Sequence, residues 1–212
     1  DFNNWELTNK EDCQMCRDDA AGCWWITLNN LNPTKEYAFQ YYVGTKGGET
    51  IRLADAYCEK ILDPEHDDDI PASAYPDNKT YPKGGKGIVS VFKIQRDNYA
   101  WTVSDFKMQH PKQPVIYEMH LRDFTTGRTI NSALQKLDYL KDMGVDAIEL
   151  MPVQEFDGND SWGYNPCFFF ALDKAYGTPK MYKDFIDACH RKGMAVILDV
   201  VYNHATGNMP FA

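Results

Sequence analysis

Hydrophobic positions in the first hundred residues follow the two-residue period of β-strands. The alternation is clearest over 37–43, and short aromatic or β-branched runs occur at 24–28, 51–53 and 88–92. Glycine-containing turns precede the last two of these runs. Short strands at such intervals predict a β-sandwich. The stretch 63–82, rich in Asp, Pro and Tyr, has no period and predicts an ordered loop.

The pattern changes after Pro114, where apolar strands begin to alternate with amphipathic helices. The predicted strands are 115–120, 147–151 and 195–201, and the predicted helices are 130–143 and 179–192. A loop of nearly thirty residues separates the second strand from the second helix. Strands that are apolar on both faces and alternate with helices predict a parallel sheet with crossover helices. We therefore expect two domains, over 1–110 and 111–212.

Composition narrows the classes of partner. The chain is 43% hydrophobic and 25% charged, as in a globular protein. A net charge of -9 without a Lys/Arg cluster argues against nucleic acid, and no apolar stretch is long enough to span a membrane. Aromatic residues make up 14%, and such rings stack on sugars as well as filling cores. No targeting signal is visible, and secretion stays open.

Six cysteines occur, four of them in the N-terminal half. Cys13, Cys16, Cys23 and Cys58 could supply four thiolates to zinc, but the spacing lacks a second C-x-x-C. We favour small buried residues and one or two spare thiols, with Cys189 in the core. This usage does not resemble a disulfide framework and weakly favours a reducing, cytoplasmic compartment.

Polar residues follow the third predicted strand. Asp199, Asn203 and His204 place a carboxylate, an amide and an imidazole where a parallel strand ends. In β/α barrels this edge binds ligands, because the βα-loops converge there. A capped turn, with His204 in solvent, explains the same residues equally well when they are taken alone.

Four segments, in order, resemble the α-amylase family of glycoside hydrolases. The segment 199–204 (DVVYNH) resembles its first conserved region, and 144–153 (GVDAIELMPV) resembles its second barrel strand. The segment 115–124 (VIYEMHLRDF) resembles the first strand of its pullulanase, isoamylase and branching-enzyme branch, with 162–166 (WGYNP) in between. The N-terminal segments 22–25 and 37–43 are similar to an immunoglobulin-like, family-48 carbohydrate-binding module. The resemblance implies that module, followed by the first three strands of a (β/α)8 barrel.

The resemblance also implies roles for individual residues in binding an α-glucan. Tyr164 would stack on the glucose unit next to the scissile bond, and His204 would hydrogen-bond a hydroxyl of that sugar. Asp199 would brace the site by pairing with a later arginine, and Trp162 lies beside Tyr164. Asn203 matches a ligand of a structural calcium ion in many amylases. No other cofactor is expected.

The implied chemistry is retaining hydrolysis, which needs a carboxylate nucleophile and a carboxylic general acid. In the family both come from later strands, so we expect them after Ala212. Glu118, Glu149 and Asp157 match no catalytic motif. We expect both ends of the chain to be truncated and the 212-residue chain to be inactive, because a barrel needs eight strands.

The sequence leaves several functions open. The leading prediction is a hydrolase acting on starch, glycogen or pullulan, and the alternatives are a branching transferase or a non-catalytic α-glucan-binding protein. A purely structural domain is disfavoured by the matches at Tyr164 and His204. The choice between α-1,4 and α-1,6 links depends on loops after Ala212, although the first barrel strand favours debranching enzymes.

Overall fold

Three small antiparallel sheets form the N-terminal half in a computed structural model that describes residues 1–6 and 13–211. The strands are β1 (Cys16–Asp18), β2 (Cys23–Trp25), β3 (Glu36–Phe39), β4 (Tyr41–Gly44), β5 (Thr50–Leu53), β6 (Ile61–Leu62) and β7 (Val89–Lys93). The strand orders in the three sheets are β1-β2, β3-β7-β6 and β4-β5. A 3-10 turn at Asp67–Asp69 lies in the predicted loop. The predicted strands are present, but an immunoglobulin-like sandwich remains a prediction.

The alternating segment 37–43, predicted as one strand, is divided at Gln40. Its first part, β3, pairs with β7, whereas its second part, β4, pairs with β5. The Gln40 side chain donates to the carbonyl oxygens of Lys86 and Ile88 at 2.7 and 2.8 Å. These long-range hydrogen bonds lie at the point where the chain passes from one sheet to the other. Hydrophobic periodicity cannot predict them, because they join segments that are distant in the sequence.

The second half contains the predicted parallel sheet. Strands β8 (Ile116–Met119), β9 (Ala147–Leu150) and β12 (Ala195–Leu198) are parallel neighbours in that order. The helices are α1 (Leu121–Phe124), α2 (Ile130–Leu134), α3 (Leu137–Asp142) and α4 (Pro179–Arg191). Thr129 and Thr178 cap α2 and α4 by accepting from backbone N–H groups of the first turn. The prediction of strands joined by crossover helices is confirmed.

Three details of this half differ from the prediction. The helix over 130–143 is two helices, because the chain tightens where Lys136 N–H donates to the Ala133 carbonyl. The long loop contains a hairpin of β10 (Gln154–Phe156) and β11 (Pro166–Leu172). The third strand ends at Leu198 rather than at residue 201, and none of its residues is fully buried, Leu198 being exposed, because it lies at the edge of the sheet.

The two faces of the parallel sheet have different neighbours. Tyr117, Ile148 and Val196 share one register row and join the main core, which includes Leu140 and Phe185 from the helices. The adjacent row, on the opposite face, contains Glu118, Glu149 and Ile197. The carboxylates therefore lie on the face turned away from the helices. Cys189 is fully buried in the main core, as predicted.

A second core joins the two halves of the chain. Ala54, Cys58 and Ile61 pack with Cys167, Phe168 and Ala171 of the second hairpin. Cys58 is thus buried there, whereas Cys16 and Cys23 are exposed on the β1-β2 hairpin, so these thiols do not form one cluster. A boundary near residue 110 remains a prediction. Among the described helices, none has the length and apolar character needed to cross a membrane.

Candidate functional site

Asp199, Tyr164 and His204 come together at the carboxyl edge of the parallel sheet. Asp199 directly follows β12, and its backbone N–H donates to the carbonyl of Leu150, the last residue of β9, at 2.9 Å. The Tyr164 hydroxyl donates to Oδ2 of Asp199 at 2.6 Å. His204 Nε2 lies 2.7 Å from the carbonyl oxygen of Tyr164 and donates to it. Residues 35 and 40 positions apart therefore form one connected group.

Tyr164 is held in the turn between β10 and β11 by its neighbours. Gly163 has a φ of +88°, and a β-carbon at this position would lie 2.5 Å from the carbonyl oxygen of Pro152. Only glycine fits this backbone, which packs against the end of the second barrel strand. The Gly163 N–H donates to Ser161 Oγ at 3.0 Å, and Ser161 also contacts the side chain of Asn165.

The electrostatic environment keeps the Tyr164 hydroxyl protonated. Its hydrogen bond to Asp199, together with partial burial, raises the pKa of Tyr164 to about 12, and the negative charges of Glu118 and Glu149 act in the same direction. The hydroxyl therefore remains a hydrogen-bond donor near neutral pH. The two glutamates, which match no catalytic motif, face this side of the site.

Much of the site is open to solvent. Trp162 is 61% exposed and Tyr164 is 38% exposed, so both rings have surface available for a ligand. His204 is also exposed, and within the described part of the chain only its Nε2 atom has a hydrogen-bond partner. The arrangement offers aromatic surface beside an imidazole nitrogen and a carboxylate, a combination suited to a sugar with its apolar face and rim of hydroxyls.

The assignment of Asn203 as a ligand of a structural calcium ion remains a prediction. Asn203 is exposed. Over residues 1–6 and 13–211, no group of three or more His, Cys, Asp or Glu side chains could hold a metal ion. Calcium prefers six to eight oxygen ligands, which include backbone and amide carbonyls as well as carboxylates. No step of the chemistry is assigned to a metal.

His120 belongs to the site although sequence reasoning assigned it no role. It follows β8 directly, and its Nε2 lies 3.0 Å from the Ser161 carbonyl oxygen and 3.1 Å from the Tyr176 hydroxyl. Arg122, two residues later, forms an ion pair with Asp160 in the same turn. His120 is part of the segment 115–124 that resembles the first barrel strand, but its partner Ser161 lies 41 positions away in the sequence. Only the folded structure therefore shows this contact.

The fold and the site together define a β/α protein with an aromatic and polar site at the carboxyl edge of its parallel sheet. Residues 122–211 match the family model of the α-amylase catalytic domain. The resemblance to the α-amylase family that was based on its motifs is confirmed for this region.

Curated relatives extend the match into the N-terminal half. The chain is 33% identical to malto-oligosyltrehalose trehalohydrolase of Saccharolobus solfataricus over 199 residues, covering 94% of this chain and 30% of the relative. It is 41% identical to the enzyme of the same name from Arthrobacter ramosus, covering 62% and 22%. Pullulanase of Bacillus subtilis is 35% identical, covering 60% and 22%. The chain thus spans less than a third of these relatives.

Solved structures show the same architecture. The catalytic module of the multi-modular glycogen-degrading pneumococcal virulence factor SpuA superposes with a TM-score of 0.69 at 28% identity, covering 90% of this chain and 31% of that chain. GBS pullulanase SAP in complex with maltotetraose gives a TM-score of 0.66 at 26% identity, covering 90% and 28%. Both neighbours are α-amylase-family proteins, in which the catalytic module is a (β/α)8 barrel.

Proposed function

We propose that this chain is part of a glycoside hydrolase that acts on α-glucans by a retaining mechanism. The observation that carries the proposal is the joined group of Tyr164, Asp199 and His204 at the carboxyl edge of the parallel sheet. Ligands bind at this edge in β/α barrels, because loops from neighbouring strands meet there. The names of the relatives, trehalohydrolase and pullulanase, support the same reaction class.

Each residue of the group has a distinct task in the proposed subsite. The Tyr164 ring stacks on the glucose unit at the scissile bond, and the remaining nitrogen of His204, Nδ1, bonds a hydroxyl of that sugar. Asp199 holds the Tyr164 ring in place through the phenolic hydroxyl, and Trp162 extends the aromatic surface. The nucleophile and the general acid are carboxyl groups from strands after Ala212, placed about 5 to 5.5 Å apart.

The subsite acts on the transition state more than on the bound substrate. A sugar at the transition state is flattened and carries positive charge, so a ring face and a fixed hydrogen-bond partner both interact with it more strongly as the charge develops. Preorganised groups of this kind contribute several kcal/mol without reorganising during the reaction. Loss of Tyr164 or His204 should therefore lower turnover as well as binding.

Steady-state kinetics of the full-length protein test the proposal. Glycogen, pullulan and a malto-oligosyltrehalose serve as substrates. They are the glucans after which the similar glycogen-degrading module, pullulanase and trehalohydrolase are named. His204→Ala should reduce kcat/KM about 30- to 1000-fold, equivalent to about 2 to 4 kcal/mol of transition-state stabilisation. His110→Ala is the control, because His110 is exposed and pairs with Asp146. Asp146 immediately precedes strand β9, so this pair lies at the amino end of the sheet, opposite the carboxyl edge that carries His204.

Three results would count against the proposal. Unchanged kcat/KM in folded His204→Ala and Tyr164→Ala variants would show that these residues do not line the subsite, and the capped-turn interpretation would stand. A full-length protein that binds α-glucans without turnover would favour the non-catalytic binding protein. Chain transfer without hydrolysis, detected by analysis of product lengths, would favour the branching transferase.

A further inference from the structure

We propose that His120 is a positioning residue that holds the turn carrying Tyr164 against the first barrel strand. Its effect on catalysis rests on the function proposed above, whereas its effect on the turn does not. His120 lies at the carboxyl end of β8, and its side chain is 9% exposed. From there its Nε2 contacts the Tyr164 turn, which the Arg122–Asp160 ion pair also joins to the segment after β8.

The His120 ring is itself fixed by two acceptors. Nδ1 lies 2.9 Å from Oδ2 of Asp123, and Nε2 lies 3.0 Å from the carbonyl oxygen of Ser161. A carboxylate and a carbonyl oxygen can only accept, so each bond needs a ring N–H: the imidazolium donates in both bonds, and a neutral imidazole donates in one of them. A carboxylate bound to one nitrogen of an imidazole orients the ring and with it the opposite nitrogen, as it does in triads and metal sites.

Ser161 passes this constraint to Tyr164. Its carbonyl oxygen is bound by His120, while its hydroxyl accepts from Gly163 N–H and contacts the Asn165 side chain. The amide of Asn165 in turn donates to the Asp157 carbonyl at 3.2 Å, which closes the turn. Tyr164 lies between the two residues that Ser161 contacts, so a shift of Ser161 would move the Tyr164 ring.

The other support for the Ser161 carbonyl is weaker. The Tyr176 hydroxyl is 3.5 Å from this oxygen, at the limit of a hydrogen bond, and it is 3.1 Å from His120 Nε2. The turn is thus attached to all three barrel strands: to β8 through His120, to β9 through Pro152 and Gly163, and to β12 through Asp199 and His204. His120 provides the attachment to β8.

Two substitutions of His120 distinguish the effect of its hydrogen bonds on the turn from the effect of its ring on packing. His120→Phe keeps a ring of similar size but removes both ring nitrogens, whereas His120→Gln retains an N–H donor near the position of Nε2. Amide hydrogen exchange of the full-length protein, read over residues 157–165, should be about 10-fold faster in His120→Phe, as expected for the loss of one hydrogen bond. His120→Gln should restore most of the protection. The helix Pro179–Arg191 is the internal control and should be unchanged.

The kinetic arm of the experiment links the turn to catalysis. His120→Phe should lower kcat on the same α-glucan substrates about 5- to 10-fold with a smaller change in KM, and His120→Gln should recover it. Combined with Tyr164→Phe, the loss should be less than the product of the separate losses, because both changes loosen one ring. If His120→Phe does not fold, Asp123→Asn, which weakens the orienting bond from the exposed side, replaces it.

Each outcome decides the inference. Faster exchange over 157–165 with rescue by His120→Gln supports positioning, and unchanged exchange overturns it whatever the kinetics show. Faster exchange without a loss of kcat leaves the positioning intact and counts against Tyr164 as a substrate-contacting residue, that is, against the proposed function. A uniform increase in exchange, including Pro179–Arg191, shows a general loss of stability and overturns the positioning role.

Discussion

The Tyr164 hydroxyl and the Asp199 carboxylate meet at 2.6 Å although 35 residues separate them in the chain. The position of Asp199 is determined by the end of strand β12. The position of Tyr164 is determined by the turn of the β10-β11 hairpin, which hydrophobic periodicity does not predict. Their hydrogen bond joins the loop after the second barrel strand to the end of the third. The same bond raises the pKa of Tyr164 and keeps its ring beside the open edge of the sheet.

Removing the Tyr164 hydroxyl should weaken the proposed subsite without removing its ring. In the full-length protein, Tyr164→Phe should lower kcat/KM on an α-glucan about fivefold, because a hydrogen bond of about 1 kcal/mol no longer fixes the ring. Tyr139→Phe is the matched control, since Tyr139 is 56% exposed on the helix Leu137–Asp142, away from the site. Equal activity of the two variants would show that the bond to Asp199 does not matter for catalysis.

Gly163 should not tolerate substitution for two reasons: its positive φ disfavours any residue with a β-carbon, and that β-carbon would collide with Pro152. Gly163→Ala should be less stable than Gly144→Ala in chemical denaturation. Both positions have φ near +85°, which costs about 1 to 2 kcal/mol with a β-carbon, but only Gly163 would also place that carbon against Pro152. Gly144 has no atom within 4 Å of the added carbon. Similar unfolding free energies for the two variants would contradict the close approach to Pro152.

A buried lysine should be essential for the contact between the two halves of the chain. Lys174 is 2% exposed and pairs with Glu155 and with Asp67, whose Oδ1 lies 3.2 Å from its Nζ. Lys174→Met leaves two carboxylates without their cation and should lower the free energy of unfolding by about 3 to 5 kcal/mol.

The exposed lysine of helix α4 provides the control for this measurement. Lys180 pairs with Asp184 but is 75% exposed, so Lys180→Met should change stability by less than about 0.5 kcal/mol. Equilibrium denaturation of both variants compares them directly. A Lys174→Met protein as stable as Lys180→Met would mean that the buried carboxylates are neutral or find water, and the ion-pair explanation would fail.

Asp187 should hold the segment before the first barrel strand onto helix α4. Its Oδ1 accepts from Thr102 N–H at 3.0 Å and its Oδ2 from the Thr102 hydroxyl at 2.7 Å, and Arg191 pairs with it. Although burial opposes ionisation, these bonds lower the pKa of Asp187 below its usual value. Asp187→Asn should reduce Tm and expose residues near Thr102 to limited proteolysis.

Asp184, on the same helix as Asp187, provides the control for this measurement. Asp184 accepts from the Tyr99 hydroxyl at 3.0 Å and pairs with Lys180, but its side chain is more exposed. Asp184→Asn should therefore change Tm and proteolysis less than Asp187→Asn does. A larger effect at Asp184 would show that Tyr99, rather than Thr102, anchors this segment.

The sequence by itself determined the local elements and the family of the second half. Apolar runs at 115–120 and 147–151, joined by helical periodicity, are sufficient to predict parallel strands, because buried strands and amphipathic helices each have a characteristic period. The motifs containing Tyr164, Asp199 and His204 identified residues that the fold brings into contact. Their roles with substrate remain predictions, as do calcium at Asn203 and the immunoglobulin-like module.

Only the tertiary structure decided which residues support that site and where elements divide. His120, Gln40 and Lys174 each act on partners 19 or more positions away, and such contacts leave no periodic mark in the chain. The division at Gln40 and the hairpin around Tyr164 depend on hydrogen bonds between distant segments. The physical reason is that hydrophobic periodicity records which face of an element is buried, whereas the pairing of polar groups is set by the packing of whole elements against one another.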